Sequence, residues 1–421
     1  MNNRHGAISH NPPAAALPVE GPFITAPEKA RSIFIVTLAT ACAPLGAGAL
    51  LFGWRAVAVA VLCVLSCAAV ERLYYRVTRV PALLGRSHAY LTGVMLALTL
   101  PPFVPWYIPV IASIFAIVVG KAVFGGVGHF LWQPALVGRL AVAVMFPAVL
   151  TAPPAGDTNA WPLLAQEQML FGDIASTRRV DNYRDWTRLA PEGADGFLLP
   201  RPMQQLRGLT LSSPPDYSGI AYARTDLPSA PPAALEGVPP VNDMLYGARP
   251  GGIGETCAIV ILVAGLYLVY RNYVKWQLPA AMLLTAAVVA AIAPIKLVGP
   301  GNTTETHWLP VLLEGADVGL VYVGYQLLSG PLLLAALLPA METTSRPVTA
   351  GGQTLFGIGC GAAAMLLQLY FETPIPAYLA VLGMNTLTPA IDALWRPRVL
   401  GTRRWTGRPR RTPAVKPADG E

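Results

Sequence analysis

Apolar residues fall in long runs along this chain, and short polar stretches separate the runs. A run of about 20 apolar residues is long enough to cross a bilayer as one helix. The pattern predicts ten membrane spans, with the long, interrupted run around residue 320 taken as a single crossing. The predicted spans are 33–53, 55–71, 89–103, 105–121, 134–151, 254–271, 276–295, 309–339, 353–371 and 376–395.

The composition supports an integral membrane protein. Of the 421 residues, 54% are hydrophobic and only 13% are charged, whereas about a quarter of the residues in a soluble domain are charged. These values exclude a disordered chain and disfavour an ordinary soluble enzyme. The 41 prolines and 39 glycines either interrupt membrane helices or fill the polar segment at 152–253. The five cysteines lie in apolar stretches, so we expect buried hydrophobic residues rather than metal ligands.

The distribution of basic residues predicts the orientation. If the N-terminus is cytoplasmic, most of the 30 Lys and Arg residues fall on the inner side, in agreement with the positive-inside rule. We therefore predict a multi-pass protein of the bacterial inner membrane with both termini in the cytoplasm. The basic tail is expected to contact anionic lipid. Nucleic acid is disfavoured as a partner, since no aromatic interleaving or binding motif accompanies the basic residues.

The polar segment 152–253 divides the chain into two membrane halves, 33–151 and 254–395, which lie between the cytoplasmic tails 1–32 and 396–421. The segment is rich in Pro, Gly, Ser and Asp and has no long periodic stretch, which predicts a long periplasmic loop. Each half contains five predicted spans. Because this number is odd, the halves have opposite orientations, which is the arrangement of an inverted repeat.

Two short segments support the repeat. Residues 91–102 read LTGVMLALTLPP and residues 328–339 read LSGPLLLAALLP, with a glycine and the final proline in matching positions. Chance similarity between apolar segments remains an alternative. If the repeat is real, each segment is a short helix that ends at a proline near the middle of the bilayer. Freed backbone groups and helix ends build ligand sites at such breaks.

Ionisable groups in or at the ends of predicted spans mark candidate sites, and four acidic residues stand out. Glu314 and Asp317 are three residues apart and share one helix face, so these two carboxylates need a partner or a cation. Glu255 opens the sixth span and is either part of a site or only a complement to a helix N-terminus. Asp392 is expected to pair with Arg396 at spacing i, i+4.

The segment 121–138 is neither a regular helix nor a water-soluble loop. Gly125, Gly126 and Gly128 allow the backbone to approach another group closely, and Pro134 suits the first turn of a new helix. Two interpretations remain open. The segment is a re-entrant stretch that holds a flat ligand, or it is a tight turn between helices.

At this point the residues resemble a known family. The stretch KAVFGGVGHFLWQPALVGR at 121–139 resembles the Lys–Phe-Gly-Gly–Gly–Asn-Pro-Ala signature of the NqrB/RnfD family. These proteins are the large membrane subunits of the Na⁺-translocating NADH:quinone reductase and of the Rnf complex. Residues 91–107, 249–271 and 384–401 are similar to the family's third helix, its Gly-Ser-Ile-Gly-Glu helix and its last helix.

The resemblance implies an all-α membrane fold of ten helices in two inverted five-helix repeats, like that of urea transporters. It implies partner subunits and an oxidoreductase complex of the NADH:quinone or NADH:ferredoxin type. In the family, FMN is esterified through its phosphate to a Thr in an outer Ser-Gly-Ala-Thr motif. Riboflavin and a quinone site accompany the quinone reductase branch. The residues at the glycine-rich breaks are then candidate cofactor contacts: Gly125, Gly126, Gly128, Gly254 and Glu255.

This chain has no intact Ser-Gly-Ala-Thr motif. The nearest string is DYSGIAYARTDLP at 216–228, in which Ser218 and Gly219 match the start of the motif. Thr225 is the candidate FMN-bearing residue, and Arg224 is placed to pair with the phosphate. The alternative is that the motif has decayed and that the chain carries no covalent flavin.

Other departures concern the ion pathway. The family's Asn-Pro-Ala is Gln133-Pro134-Ala135 here, and its Asp before the third helix is His88 or Ser87.

The first functional hypothesis is a subunit that passes electrons through flavin across the membrane and couples this transfer to Na⁺ or H⁺ movement. Glu255, Glu314 and Asp317 are the candidate carriers, because coupling needs carboxylates that are alternately neutralised by a cation or a proton. The alternative is a non-redox transporter or channel, or a scaffold subunit, on the same inverted-repeat fold. The departure from the flavin motif favours the alternative.

Overall fold

The computed structural model describes most of the two membrane halves. The residues that it describes are 30–79, 88–125, 129–150, 241–247, 251–298, 304–312, 316–337, 345–371 and 373–395.

The first half consists of helices joined by short connections. Within the described residues these are α1 (Ala30–Phe52), α2 (Trp54–Thr78), α3 (Ala89–Thr99), α4 (Tyr107–Ile117), α5 (Pro134–Met145) and the short α6 (Pro147–Leu150). A π-helix at Val118–Ala122 continues α4 directly. The predicted spans at 89–103 and 134–151 are thus too long as helices, because Pro101 ends α3 and Pro147 interrupts the fifth run.

The second half has a similar order. It follows α7 (Val241–Tyr246), which lies at the end of the 152–253 segment, and it comprises α8 (Ala258–Tyr270), α9 (Gln277–Ile292), α10 (Ala316–Leu328), α11 (Leu332–Leu337), α12 (Ala350–Tyr370) and α13 (Pro376–Leu394). The run at 309–339 is not one helix. It contains a 3₁₀ turn at Pro310–Leu312, then α10 and α11, with Ser329–Pro331 between the two helices.

One antiparallel pair of strands, which the sequence pattern did not predict, joins α9 to α10. Strand β1 (Ile295–Val298) pairs with β2 (Thr304–His307), and Ile295 lies opposite His307. The four-residue strands are too short for their alternation to stand out from the end of the preceding apolar run.

Three helices are long and apolar enough to cross a membrane: Ser32–Phe52, Trp54–Thr78 and Ala350–Tyr370. The remaining apolar helices that the structure describes are shorter. Several exposed tryptophan side chains lie at or next to the ends of helices and strands. They are Trp54 at the start of α2, Trp106 before α4, Trp276 before α9, Trp308 after β2 and Trp395 after α13. Tryptophan concentrates at membrane–water interfaces, so these positions fit helix ends at the two surfaces of a bilayer.

The two halves share five helix pairings. In the first half, α3 contacts α1, α2 and α5, and α4 contacts α2 and α5. In the second half, α11 contacts α8, α9 and α13, and α12 contacts α9 and α13. The segments 91–102 and 328–339 fall on α3 and α11, which hold the same place in the two sets. Equivalent helices also meet across the halves, α1 with α8 and α5 with α13. The inverted orientation of the halves stays a prediction.

Small residues allow the closest of these contacts. The backbone of α12 at Gly361 lies so near α9 that a β-carbon there would overlap the carbonyl oxygen of Met282. Gly383, in the neighbouring α13, has no heavy atom within 4 Å of the position a β-carbon would take. The two glycines therefore form a matched pair for testing the packing.

We predict that Gly361→Ala destabilises the protein by about 1–3 kcal/mol, since an added methyl group must push two helices apart. Gly383→Ala is expected to be neutral or stabilising by up to about 1 kcal/mol, because alanine favours helix more than glycine does. The measurement is the thermal unfolding midpoint of the detergent-solubilised protein. Equal midpoints for the two variants would contradict the tight contact between α9 and α12.

Candidate functional site

Helix α3 ends at Thr99, in the interior of the protein. Pro101 and Pro102 follow Leu100, and a proline disfavours helical conformation in the residue before it and has no N–H to donate. The last carbonyls of a helix have no donor within their own helix. In α3 these include the carbonyls of Leu98 and Thr99, and the carbonyl of Leu100 follows.

Donors from elsewhere in the chain satisfy all three carbonyls. The N–H of Gly254 donates to the Leu98 oxygen at 2.8 Å, and the N–H of Ile253 donates to the Leu100 oxygen at 2.9 Å. Nε of Arg139, on α5, donates to the Thr99 oxygen at 2.9 Å. The Arg139 side chain is only 1% exposed. A guanidinium cation is stabilised at a helix C-terminus by the negative end of the helix dipole.

Gly254 makes this contact possible because it has no side chain. A β-carbon at this position would lie 2.6 Å from Cδ2 of Leu98, so the loop before α8 touches α3 directly. The predicted span at 254–271 is wrong in its first turn, since residues 251–257 form an irregular loop and α8 begins at Ala258.

Glu255 lies in the same loop and is 94% buried, with 6% of its surface exposed. Its Oε1 accepts a hydrogen bond from the Tyr378 hydroxyl at 2.6 Å, and its Oε2 accepts one from the Gly252 N–H at 2.9 Å. Hydrogen bonds to a carboxylate are short and strong. These two bonds hold the carboxylate against α13 and against the backbone of its own loop.

We call this group of residues the central junction. It comprises Leu98–Leu100, Arg139, Gly252–Glu255 and Tyr378. Because α3 and α5 belong to the first half while the loop and α13 belong to the second, the junction connects the two halves. It also places one buried carboxylate at the broken end of a membrane helix, where ion sites are commonly built.

A buried ion pair lies in the first half. Nζ of Lys121, in the π-helix, is 2.8 Å from Oε1 of Glu71 on α2, and both side chains are almost fully buried. The π-helix is a rare conformation that often occurs at functional sites. Sequence reasoning did not single out Glu71, because it precedes Arg72 and Arg76 and resembles a residue at the membrane surface. Its spacing from Cys63 and Cys67, eight and four residues, was the available signal, since both cysteines are buried on α2.

The second half contains a neutral buried network instead. Nε2 of Gln368, on α12, donates to the backbone oxygen of Gln326 at 2.8 Å and to Oε1 of Gln326 at 3.0 Å. Nε2 of Gln326 donates to the Tyr322 hydroxyl at 3.2 Å. The network lies next to Ser329, at the break between α10 and α11. Its hydrogen bonds hold that break in place.

The Gly-rich turn after the π-helix is described only at its two ends. Gly125 has φ of 100°, a conformation that favours glycine. Gln133 caps α5, with its Oε1 accepting the Leu136 N–H at 2.9 Å, and Pro134 occupies the first helical turn as predicted. Nε1 of Trp132 donates to the Thr386 hydroxyl on α13 at 2.9 Å, which ties this turn to the second half.

The structure brings Gly254 and Glu255 together in the junction and places Gly125 in the turn after the π-helix. Asp317 lies on α10, and nothing is described of its side chain. Asp392 accepts the Val348 N–H at 3.1 Å, while its expected partner Arg396 lies outside the described residues. The remaining candidate residues outside the described part of the chain are Gly126, Gly128, Ser218, Gly219, Arg224, Thr225 and Glu314.

The cysteine prediction holds at three positions. Cys63, Cys67 and Cys360 are buried, whereas Cys42 is exposed and Cys257 is partly exposed. Within the described residues, no group of three or more His, Cys, Asp or Glu side chains is arranged to hold a metal ion.

Comparison with known proteins gives consistent matches along nearly the whole chain. The family model described as the NQR2, RnfD, RnfE family matches residues 19–401. The D subunit of the ion-translocating oxidoreductase complex of Halorhodospira halophila is 31% identical over 400 residues, covering 92% of this chain and 96% of the relative.

Two further relatives are named for different ions. The D subunit of the proton-translocating ferredoxin:NAD(+) oxidoreductase complex of Clostridium ljungdahlii is 27% identical over 353 residues, covering 84% of this chain and 86% of the relative. The D subunit of the Na(+)-translocating ferredoxin:NAD(+) oxidoreductase complex of Acetobacterium woodii is 28% identical over 380 residues, covering 90% and 93%.

We predict that the ion pair between Lys121 and Glu71 stabilises the fold only as a pair. Lys121→Met or Glu71→Met alone leaves one buried charge without its ion-pair partner and is expected to cost about 3–5 kcal/mol. The double variant, which removes both charges, is expected to regain most of the loss. Thermal unfolding midpoints of the singles and the double variant measure this coupling.

Arg72→Gln is the control for this experiment, because Arg72 is exposed on the same helix and its loss should change the midpoint little. Additive losses in the double variant would show that the two charges do not interact.

Proposed function

Since the chain belongs to the NQR2, RnfD, RnfE family, we propose that it is the RnfD-type membrane component of an ion-translocating oxidoreductase complex in the inner membrane. The relatives support this proposal because their matches extend over nearly their full length. The proposed partners are the other subunits of such a complex. Ferredoxin and NAD⁺ are the redox partners that the names of two relatives favour, with NADH:quinone chemistry as the alternative reaction.

The central junction is the observation that carries the ion-translocating part of the proposal. Glu255 is a buried carboxylate at the broken end of a helix, between two halves with the same pairings. An ionisable group inside a membrane protein is a candidate for ion binding or proton transfer, and broken helices supply the backbone groups for such sites. We propose Glu255 as a carrier of the coupling ion, with Glu314 and Asp317 as further carriers suggested by the sequence.

The junction also provides a physical reason for coupling. The loop that carries Glu255 is bonded to the end of α3 through Ile253 and Gly254, and Tyr378 ties the carboxylate to α13. A change in the charge of Glu255 therefore acts directly on its bond to α13, and it acts on the first half through the loop whose backbone is bonded to α3. Coupling of this kind needs two states that bind the ion differently.

The coupling ion is either Na⁺ or H⁺. The two ferredoxin:NAD(+) relatives are 27% and 28% identical to this chain and are named for protons and sodium, respectively. Overall similarity therefore does not choose between the ions, and the choice depends on individual groups at the site.

The topology belongs to the same proposal. Ten crossings in two inverted halves, with cytoplasmic termini, are supported by the repeated helix pairings and by the exposed tryptophans at the element ends. This arrangement places the 152–253 loop in the periplasm.

The flavin part of the proposal is based on the sequence. We propose a covalent FMN at Thr225, with Arg224, Ser218 and Gly219 beside it, in a loop outside the described residues. Riboflavin and quinone are further candidate ligands of the glycine-rich turn at Gly125. A bound flavin would supply the electron transfer. At Gly254, the Leu98 side chain occupies the space that a β-carbon would take. A cofactor contact at Gly254 stays a prediction.

We predict that Glu255→Gln abolishes ion transport by the assembled complex while preserving assembly. The amide keeps the size of the side chain but cannot change charge, and loss of a proton-transfer group typically costs about 10²-fold or more in rate. The measurement is the ion movement driven by ferredoxin oxidation in proteoliposomes that contain the whole complex, with electron transfer recorded in the same vesicles.

Glu372→Gln is the matched control, because it makes the same chemical change in the connection between α12 and α13 and should preserve transport. Transport by the Glu255 variant at the rate of the unmodified complex would exclude Glu255 as a carrier.

We predict that the denatured protein from its native host shows flavin fluorescence in a gel and that Thr225→Ala removes the signal. The reason is that a phosphoester to the Thr225 hydroxyl survives denaturation, whereas a non-covalent flavin is lost. Thr210→Ala, in the same loop, is the control and should keep the signal. No covalent signal, together with no flavin after mild extraction, would favour the non-redox transporter instead.

A further inference from the structure

Helix α13 contains an unusual polar position near its middle. The side chain of Asn385 is only 1% exposed, and its Nδ2 has no hydrogen-bond acceptor among the described residues. Buried polar groups in native proteins are almost always bonded to protein or to ordered water. An amide nitrogen left inside a membrane helix therefore points to a small ligand with an acceptor oxygen.

The backbone at the same residue adds an acceptor. Pro389 lies inside α13 and has no N–H, so the carbonyl oxygen of Asn385 loses its helical donor four residues later. Residue 385 thus presents a donor on its side chain and a freed acceptor on its backbone. A water molecule is the small ligand that accepts from one group and donates to the other.

Asn385 belongs to a stripe of buried polar residues on α13. Tyr378 is seven residues earlier, which is two helical turns, and Thr388 is three residues later, so the three residues lie on one side of α13. Tyr378 donates to Glu255 of the central junction. The Thr388 hydroxyl donates to the backbone oxygen of Ser345 at 3.1 Å.

The loop that receives the Thr388 hydroxyl shows a second incomplete polar group. Gln353, on α12, donates through Nε2 to the backbone oxygen of Pro347 at 2.9 Å. Its Oε1 is buried and has no donor among the described residues. An acceptor on α12 and a donor on α13 are therefore both buried without a hydrogen-bond partner among the described residues.

We propose that Asn385 and the carbonyl freed by Pro389 hold an internal water, and that this water is the middle of a hydrogen-bonded proton route between the 345–349 loop and Glu255. The inference rests on the proposed role of Glu255 as a carrier. A proton enters at the loop, each water passes one proton on as it takes another, and Tyr378 gives its hydroxyl proton to Oε1 while it takes one from the water. Asn385 only positions the water.

The test is proton uptake by the whole complex in proteoliposomes during ferredoxin oxidation. Asn385→Leu removes the amide donor, and it should slow proton uptake roughly ten- to a hundred-fold. Electron transfer to an artificial acceptor should stay unchanged. Asn385→Ser leaves a hydroxyl and room for water and should largely restore uptake. Pro389→Ala returns a helical N–H donor to the Asn385 carbonyl, so that the carbonyl no longer holds the water. This variant should also slow proton uptake. Gly383→Ala is the control on the same helix.

Several results would overturn the proposal. If the Asn385→Leu complex does not assemble, the Pro389→Ala complex is tested in its place. Proton uptake by Pro389→Ala at the rate of the unmodified complex would exclude the route. Equal rates for Asn385→Leu and the unmodified complex would exclude it directly. If Glu255→Gln stops transport while the Asn385 and Pro389 variants transport normally, the route fails and the carrier role stands. If Glu255→Gln transports normally, the carrier role fails and the route has no end point.

Discussion

Three backbone carbonyls at the end of α3 determine much of this architecture. Pro101 and Pro102 prevent the helix from continuing, so the carbonyls of Leu98, Thr99 and Leu100 need donors from outside the helix. In a medium without water, each missing hydrogen bond costs several kcal/mol. The donors come from Arg139 in the first half and from the Gly-rich loop of the second. The break therefore stabilises the contact between the halves instead of weakening the fold.

The two halves share their helix pairings but not their polar interiors. In the first half, Lys121 neutralises Glu71 within the protein, so that carboxylate has a fixed cation. In the second half, the buried polar groups are glutamine amides and hydroxyls, and the hydrogen bonds to Glu255 come from a hydroxyl and a backbone N–H. A repeated scaffold thus supports a buried ion pair in the first half and a buried network of glutamine amides and a tyrosine hydroxyl in the second.

Part of this structure could be predicted from residue patterns. The apolar runs located the helices, and prolines predicted the end of α3 and the start of α5, because proline acts locally on the backbone. The match of 91–102 with 328–339 located two helices that hold equivalent positions in the packing. These features depend on properties of the chain within a few residues.

The remaining features depend on tertiary contacts that spacing does not reveal. Asp392 accepts the Val348 N–H from a distant part of the chain, a contact that the i, i+4 rule does not reveal. In the sequence Glu71 resembled a residue at the membrane surface, whereas in the structure it forms a buried ion pair with Lys121. Gly254 was predicted to begin a membrane span. In the structure its N–H donates to the Leu98 carbonyl of α3, and its lack of a side chain allows α3 to lie close to the loop. The loop that contains Thr225 offers no periodic pattern from which a fold could be argued.

The order in which the chain is synthesised gives the end of α3 a further consequence. Leu98 and Leu100 leave the ribosome before the donors at Ile253 and Gly254, and the whole 152–253 loop is made between them. At about 5–20 residues per second, this interval is roughly 10–30 s. During that time the first half lies in the membrane with two carbonyls that have not yet met their partners. The nascent first half is therefore an incomplete folding unit, and its completion waits for synthesis of the residues after the loop.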